Sequence, residues 1–406
     1  MPTRRGWGLF GAVLGTSLGA RLVGSSELAL AAQAGLVLLL FAVGFVWLLS
    51  ADLDIRRQVR PRRLFFDAEG EVDVLLRNAG RRPTPTIQVI DPAPATLATA
   101  NRFVISPLRR GRTATLRYRL HGRQRGVFRL GPTQVLLRDP FGFAARRMVI
   151  DNVEEVVVYP PVWRLSGTLP VGVALSGSTA QTRPAPRGTE LAGVRKYVRG
   201  DDLRQVHWRT TARRGELYVR QNEAPWAPQG TVLLDARARA HAGRGPGSSL
   251  ESAVASAASV VHHLSGRGLA VRLVMDSDDI LRPERPWELT LERLAEIGVR
   301  SDVDLAALLR QLSTGHGLGT LVAVLGVPSS MEMRALVRAG RSYGTRAAII
   351  VDAAAHAGIP GADITPVRTA LARAGWRIGV VRPGDRLDHV WEAMTAQRPG
   401  SRAVAG

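Results

Sequence analysis

The chain contains no cysteine. Disulfides, thiolate nucleophiles and cysteine-ligated zinc or iron–sulfur sites are thereby excluded, and the redox state of a compartment leaves no trace in it. Lysine is almost as scarce: Lys196 is the single lysine, and every other basic residue is arginine. A P-loop ends in Gly-Lys-Ser/Thr, because the lysine grips phosphate and the hydroxyl holds magnesium; here the lysine precedes Tyr197, so the chain has no such loop. Aromatics make up 5% of residues, and no zinc finger, basic zipper or aromatic RNA-binding signature accompanies the net charge of +21. The arginines are spread along the chain in the manner of GC-rich codon usage, and nucleic acid is not an expected partner. His262 and His263 have no HExxH partner and read as packing or surface residues. The glycine-rich "GHGLGT" (315–320) precedes a strand rather than following one, and no GxSxG elbow occurs.

What the chain does have is a long apolar run. Leu28–Ser50 passes 23 residues without a charge, enough at about 1.5 Å per residue to cross a hydrocarbon core of about 30 Å. A weaker run, Trp7–Ala20, follows Arg4 and Arg5. Read together they predict a two-helix transmembrane hairpin over 1–50. The alternative for the first run is a cleaved signal segment, but cleavage after Ala20 would place Leu18 where a small residue is preferred. Arg56, Arg57, Arg60, Arg62 and Arg63 follow the strong run, against Arg21 alone in the connecting loop. The positive-inside rule then predicts a multi-pass protein of the cell membrane with its soluble domains in the cytoplasm.

From 51 to 160 the apolar period is two. Val72 and Val74 alternate with Glu71 and Asp73, and Ala114, Leu116, Tyr118 and Leu120 alternate with polar neighbours. Six or seven short strands with Pro/Gly/Asn punctuation predict a β-sandwich-like domain. A Pro/Gly/Ser/Thr-rich stretch, 161–187, reads as a linker. A charged motif occupies 188–228. From 229 to 395 five apolar strands ("TVLLDA", "LAVRLVMD", "LGTLVAVLG", "TRAAIIVD", "WRIGVVRPG") alternate with helices, which predicts a doubly wound parallel α/β sheet. One helix opens with a Ser248-x-x-Glu251 capping box and ends at Gly266. In such sheets ligands sit beyond the strands' carboxyl ends, where Asp235, Asp276, Ser277 and Asp352 fall. Residues 396–406 read as a frayed tail.

The α/β segment resembles a von Willebrand factor A-type domain, whose first strand ends in Asp-x-Ser-x-Ser and binds a divalent ion through oxygen ligands. Here Asp235 is kept, but Arg237 and Arg239 stand at the hydroxyl positions, so the expectation is a degenerate site without metal or cofactor.

The motif "GVRKYVRGDDLRQVHWRTTARRG" (193–215) sets Asp201 and Asp202 among Arg195, Lys196, Arg199, Arg204, Arg209, Arg213 and Arg214. It reads as a strand, a turn, and a helix over 203–213 capped by Asp201 or Asp202, with Leu203, Val206 and Thr210 on one face. A return strand, "ELYVRQN", completes it. Three readings of this stretch compete: a structural charge network, a docking surface anchored on Trp208 and exposed arginine, and a catalytic site at Asp201, Asp202 and His207, which lacks a nucleophile. The motif closely resembles the signature of a large bacterial family catalogued as domain of unknown function fifty-eight, at Gly188 and Glu190, Arg195 and Tyr197, Gly200 and Asp201, Arg204, His207 and Trp208, and Ala212 and Arg213. "RGVFRLGP" and "RDPFGF" upstream are similar to the same family. The resemblance implies a membrane-anchored protein with an A-type-like domain, commonly encoded beside MoxR-type AAA+ ATPases and other membrane proteins; the expectation built on it is a non-enzymatic adaptor that engages such an ATPase. The rival expectation is an envelope-associated hydrolase or transferase with its site near Asp201 and His207. Binding of anionic lipid headgroups by the juxtamembrane arginines would add to the adaptor role.

Overall fold

The computed structural model describes residues 2–48, 52–99, 101–170, 193–197, 206–221, 229–280, 286–314, 319–360 and 363–397. The chain divides into two units, Met1–Pro161 with Leu291–Ile297, and Val162–Thr290 with Gly298–Gly406.

The first unit opens with α1 (Arg4–Val23) and α2 (Ser26–Leu48). Thr3 caps α1 by accepting from the Gly6 N–H, and Gly24, at φ 73°, ends it in the left-handed conformation glycine tolerates best. The two helices pack antiparallel, and a Cβ at Gly35 would come within 2.6 Å of Val13 Cγ2, so the glycine permits their close approach. Among the described residues only α2 is long and apolar enough to cross a bilayer. The expectation of a two-helix transmembrane hairpin is corrected accordingly. Arg4, Arg5 and Arg21 confine the uncharged part of α1 to Gly6–Ala20, which reaches only about 22 Å at 1.5 Å per residue.

Ten strands follow: β1 (Leu53–Arg60), β2 (Arg63–Leu64), β3 (Glu69–Asn78), β4 (Ile87–Ile90), β5 (Arg102–Ile105), β6 (Thr113–His121), β7 (Gly126–Leu130), β8 (Thr133–Arg138), β9 (Ala145–Ile150) and β10 (Glu154–Val158). They form three sheets, ordered β1-β3-β6, β2-β10-β7 and β5-β4-β8-β9. All three contribute to one apolar core, with Val72, Val74 and Leu76 of β3 and Leu120 of β6 fully buried. The alternation of period two is thus real. Six or seven strands were legible in it, whereas β5 and β9 are the two edges of their sheet, partly exposed on both faces and free of the alternation that burial imposes.

Within this core Arg57 and Asp91 are paired with no side-chain exposure. Arg57 Nε donates to Asp91 Oδ2 at 3.1 Å and Nη1 donates to the Leu130 carbonyl at 2.9 Å. Tyr118 Oη and Thr133 Oγ1 donate to the same carboxylate at 2.7 and 2.8 Å. Burial first, and then Asp91, hold the Tyr118 hydroxyl well above its ordinary value. Arg57 is therefore a core residue and not one of the free juxtamembrane charges.

The "DPFGF" turn joins helices and sheet. Asp139 accepts from the N–H groups of Phe141 at 2.9 Å and Ala144 at 2.5 Å. Thr3 at the head of α1 donates through Oγ1 to the Gly142 carbonyl at 2.6 Å and through N to the Phe143 carbonyl at 2.8 Å. Ala144 packs with Ala42 and Val46 near the end of α2.

The second unit begins with β11 (Gly193–Lys196), α3 (Trp208–Arg214) and β12 (Tyr218–Gln221), the two strands pairing antiparallel. Then come β13 (Gln229–Leu234), α4 (Ser249–Ser265), β14 (Ala270–Val274), α5 (Ser277–Ile280), α6 (Trp287–Glu296), whose residues from Leu291 belong to the first unit, α7 (Leu305–Thr314), β15 (Thr320–Leu325), α8 (Ser330–Gly340), β16 (Thr345–Val351), α9 (Ala353–His356), α10 (Thr365–Arg373), β17 (Arg377–Val381) and α11 (Leu387–Ala396). Strands β13–β17 form one parallel sheet in the order β14-β13-β15-β16-β17. All six residues of β15 are buried, as a strand covered on both faces requires. The strand order reverses between β13 and β15, which places a crevice at their carboxyl ends. The stretch read as a linker is partly strapped down: the Trp163 N–H donates to Ser259 Oγ on α4 at 3.0 Å, and Arg267 donates to the Gly167 carbonyl at 3.1 Å. Residues 171–187 lie outside the described residues. His263 packs edge-on against Trp391, and burial lowers its imidazole pKa.

Candidate functional site

Two places concentrate polar side chains that sequence reasoning singled out. The first is the carboxyl end of β13. Asp235 leaves the strand with its backbone N–H bonded to the Val324 carbonyl at 2.9 Å and its side chain almost wholly buried. Arg237, equally buried, donates through Nε to Oδ1 at 2.7 Å and through Nη2 to Oδ2 at 2.8 Å. Its remaining amino group bonds Glu332 Oε1, which Arg239 also reaches, at 3.0 Å. Glu332 is fixed by a capping box at the start of α8, where the Ser329 N–H donates to Oε2 at 2.8 Å. A Cβ at Gly326 would lie 2.2 Å from the Ala240 carbonyl oxygen, so glycine is required there for the loop after β13 to close over the end of β15.

The electrostatics follow. Burial alone would lower the Arg237 pKa, but Asp235 and then Glu332 hold it above its ordinary value. Burial alone would raise Glu332, but Arg237 and the Ser329 N–H hold its carboxyl below the usual range. His241 completes the cluster, with Nε2 2.5 Å from the Asp235 carbonyl and Nδ1 3.1 Å from Ser249 Oγ. Burial pushes its imidazole down, and a neutral ring protonated on Nε2 satisfies both contacts. The cluster is a closed ion network: each oxygen of Asp235 already accepts from the guanidinium, and the hydroxyl beside His241, Ser249 Oγ, is fully buried and accepts from the Ala242 N–H at 2.9 Å. Among the described residues no group of three or more His, Asp or Glu side chains is arranged to hold a metal ion.

Beside it, at the end of β14, a cleft of about 350 Å³ is lined by Asp276, Ser277, Arg300, Asp302 and Asp304. Arg300 joins Asp276 at 2.7 Å to Asp302 at 3.1 Å. Asp352, at the end of β16, is buried and caps α9 by accepting from the Ala355 N–H at 3.1 Å.

The second place is the charged motif. Glu190, Gly200, Asp201, Asp202 and Arg204 lie outside the described residues, as does the side chain of Arg195. Tyr197 is half-buried, its N–H donating to the Leu217 carbonyl at 2.8 Å. The helix starts at Trp208, and its cap is His207, whose Nδ1 accepts from the Thr210 N–H at 3.2 Å. This corrects the expectation of a helix over 203–213 capped by Asp201 or Asp202. Val206 precedes the helix, buried and in extended pairing, rather than sharing a helical face with Thr210. Lys196 pairs with Glu216 at 2.6 Å, and Arg214 lies 5.3 Å over the Tyr218 ring. Trp208 is 66% exposed, and the exposed Arg209 and Arg213 have no carboxylate partner among the described residues.

Sequence reasoning found Asp235 but missed Glu332 and His241 as its neighbours. The Ser329-x-x-Glu332 spacing was available as a capping signal; nothing in the sequence marked the partnership with Arg237, 95 residues away.

Residues 193–302 match the family described as "Protein of unknown function DUF58", which supports the resemblance carried by the motif. No curated protein matches the chain. Among solved structures the chain is similar to the CARDB domain of a Pyrococcus furiosus protein in complex with di-metal ions, at 17% identity over 27% of this chain and 93% of that one, with a TM-score of 0.21. It is also similar to a β-glucosidase from Listeria innocua in complex with gluconolactone (16% identity, 27% of this chain and 16% of that one, TM-score 0.18). A third is the Pseudomonas fluorescens alkylpurine DNA glycosylase AlkC bound to DNA (16% identity, 26% and 32%, TM-score 0.16). At such scores these likenesses say nothing about activity.

Proposed function

We propose that the protein is a non-enzymatic, membrane-tethered adaptor that engages a MoxR-type AAA+ ATPase on the cytoplasmic side. The observation that carries this is the surface of α3, where Trp208 stands exposed beside Arg209 and Arg213, neither of which has a carboxylate partner among the described residues. Exposed tryptophan and arginine are the residue types that most often anchor a protein interface. Anchoring is assigned to α2, and the arginines that follow it favour a cytoplasmic position for both units.

The strand-end cluster fits this reading. As a degenerate von Willebrand factor A-like domain, the second unit carries a guanidinium where that domain type holds a divalent ion. Arg237 neutralises Asp235 and Glu332 permanently, which makes the cluster a rigid element and not a reactive one. The rival hydrolase or transferase reading needs His207 as a proton acceptor, but its Nδ1 is already engaged in capping α3.

The test is purification of the full-length protein from its own membranes in mild detergent, beside W208A and R209Q/R213Q. An AAA+ ATPase that co-purifies with the wild type and is lost from both variants supports the proposal. Recovery equal in all three, or no ATPase with any, overturns docking through α3.

A further inference from the structure

The arginines that follow α2 in sequence are largely engaged: Arg56 pairs with Asp54, Arg57 with Asp91 and Arg62 with Glu154. A different set lies free beside the end of the helix. Arg81 and Arg82 sit in the loop after β3, and Arg109, Arg110 and Arg112 in the loop before β6; all five are exposed, and none has a carboxylate partner among the described residues. Asn78, 1% exposed, joins the two loops. Its Nδ2 donates to the Arg82 carbonyl at 2.8 Å and to the Leu108 carbonyl at 2.9 Å, while its own carbonyl accepts from the Gly111 N–H at 2.9 Å. Thr84 adds a second tie, accepting at Oγ1 from the Leu108 N–H at 2.9 Å.

The first loop is also fastened to the chain emerging from α2. The Asp52 carbonyl accepts from the N–H groups of Ala79 at 2.9 Å and Gly80 at 3.2 Å. Asp52 stands four positions after Leu48, so it lies within roughly 14 Å of the helix end even if the connection is fully extended. A cleft of about 440 Å³ is lined by Leu48, Asp52, Asn78, Arg81, Arg82 and Thr84, and Asp52 is its single acidic residue.

We propose that these two joined arginine loops form a site for the phosphate headgroups of anionic phospholipids in the bilayer that α2 crosses. The occupant is a lipid headgroup because Leu48, the last described residue of the apolar helix, lines the same cleft as Arg81 and Arg82, to whose loop Asn78 and Thr84 tie the loop of Arg109, Arg110 and Arg112. Guanidinium groups suit phosphate oxygens through paired N–H donors, and basic side chains at a membrane surface favour anionic over zwitterionic lipid. The proposal rests on α2 spanning a membrane and is independent of the ATPase partner.

The absence of cysteine allows a clean test. The full chain carrying A79C, labelled there with an environment-sensitive dye, is reconstituted into phosphatidylcholine vesicles containing nitroxide-labelled phosphatidylglycerol or nitroxide-labelled phosphatidylcholine. Quenching reporting an association with phosphatidylglycerol at least about threefold stronger is expected, falling to parity in R81Q/R82Q/R109Q/R110Q and in molar salt. Parity in the parent, or a preference unchanged in the quadruple variant, overturns the lipid site. Sedimentation of the vesicles at alkaline pH separates the two levels. A chain retained in the pellet with no lipid preference refutes only this proposal, while a chain released from the vesicles refutes the span and the proposal together.

Discussion

Both carboxylate oxygens of Asp235 accept from the guanidinium of Arg237, two residues further along the same loop. A bidentate pair this short in sequence, bonded onward to Glu332 on another element, places a permanent cation at the reversal point of the parallel sheet. The loop after β13 and the start of α8 are thereby joined electrostatically at the position where a doubly wound sheet ordinarily receives its ligand.

Removing that cation leaves Asp235 buried without a counter-ion, while Glu332 keeps Arg239. R237A is expected to destabilise the second unit by about 3–5 kcal/mol, because an uncompensated buried charge costs more than the pair contributes. R237S/R239S supplies hydroxyls at both positions, and magnesium or manganese is expected to raise its melting temperature while leaving that of the parent unchanged. Differential scanning fluorimetry with and without metal decides the matter: a parent that responds to metal, or a double variant that does not, removes the equivalence between guanidinium and divalent ion.

The same cluster sets a dependence on pH. His241 has a lowered pKa, so the folded state binds fewer protons than the unfolded chain once the pH drops below the ordinary imidazole value of about 6.5. Stability should decline as the pH falls from there, and H241Q should remove that part of the slope. Glu332 is also depressed; its contribution is complete above its unfolded value near 4.5 and is lost as the pH falls through the lower folded value. E332Q should abolish only this second, more acidic decline. Urea titrations at intervals between about pH 2 and 8 distinguish the two, and a single slope shared by both variants would contradict the assignment.

In the first unit the comparable test concerns Arg57 and Asp91. R57M strands a buried carboxylate and is expected to cost about 3–5 kcal/mol in urea unfolding. R57M/D91L/Y118F removes the charge together with the Tyr118 hydroxyl that donates to it, leaving only that of Thr133, and should regain most of that loss. If the triple variant is no more stable than R57M, the pair is not what organises this core.

Legibility in the sequence tracked burial. The strands of the parallel sheet were readable as apolar runs, most clearly where a central strand is covered on both faces and is continuously buried, as in "TLVAVL" of β15. Helix α11 was not singled out in the sequence, although Leu387, Trp391 and Met394 repeat at helical spacing and are buried. Arg57 looked like a surface charge beside a membrane helix because its partner lies 34 residues on, and only the packing of separate sheets brings them together. The cap of α3 was misassigned because two aspartates are commoner caps than a histidine. At the candidate site Asp235 was visible as an acid at a strand end, but the network that joins it through Arg237 to Glu332 depends on where α8 begins relative to β13, which no local pattern encodes.

The last relationship open to a direct test is that between Gly6 and Phe143. A Cβ at Gly6 would lie 2.1 Å from the Phe143 carbonyl oxygen, whereas one at Gly8 would meet nothing within 4 Å. Replacing an exposed helical glycine by alanine ordinarily stabilises a helix by about 0.5–1 kcal/mol. G8A should therefore stabilise α1 slightly. G6A should do the reverse, since the added methyl must push the first turn of α1 away from the "DPFGF" turn, breaking the Thr3 bonds to Gly142 and Phe143 at a cost of about 1–3 kcal/mol. Limited trypsin digestion in detergent reads the difference at Arg4 and Arg5, with faster cleavage expected in G6A and slower or unchanged cleavage in G8A. Equal rates in both variants would mean that the turn does not hold the head of α1, and that the helices are attached to the sheets through α2 alone.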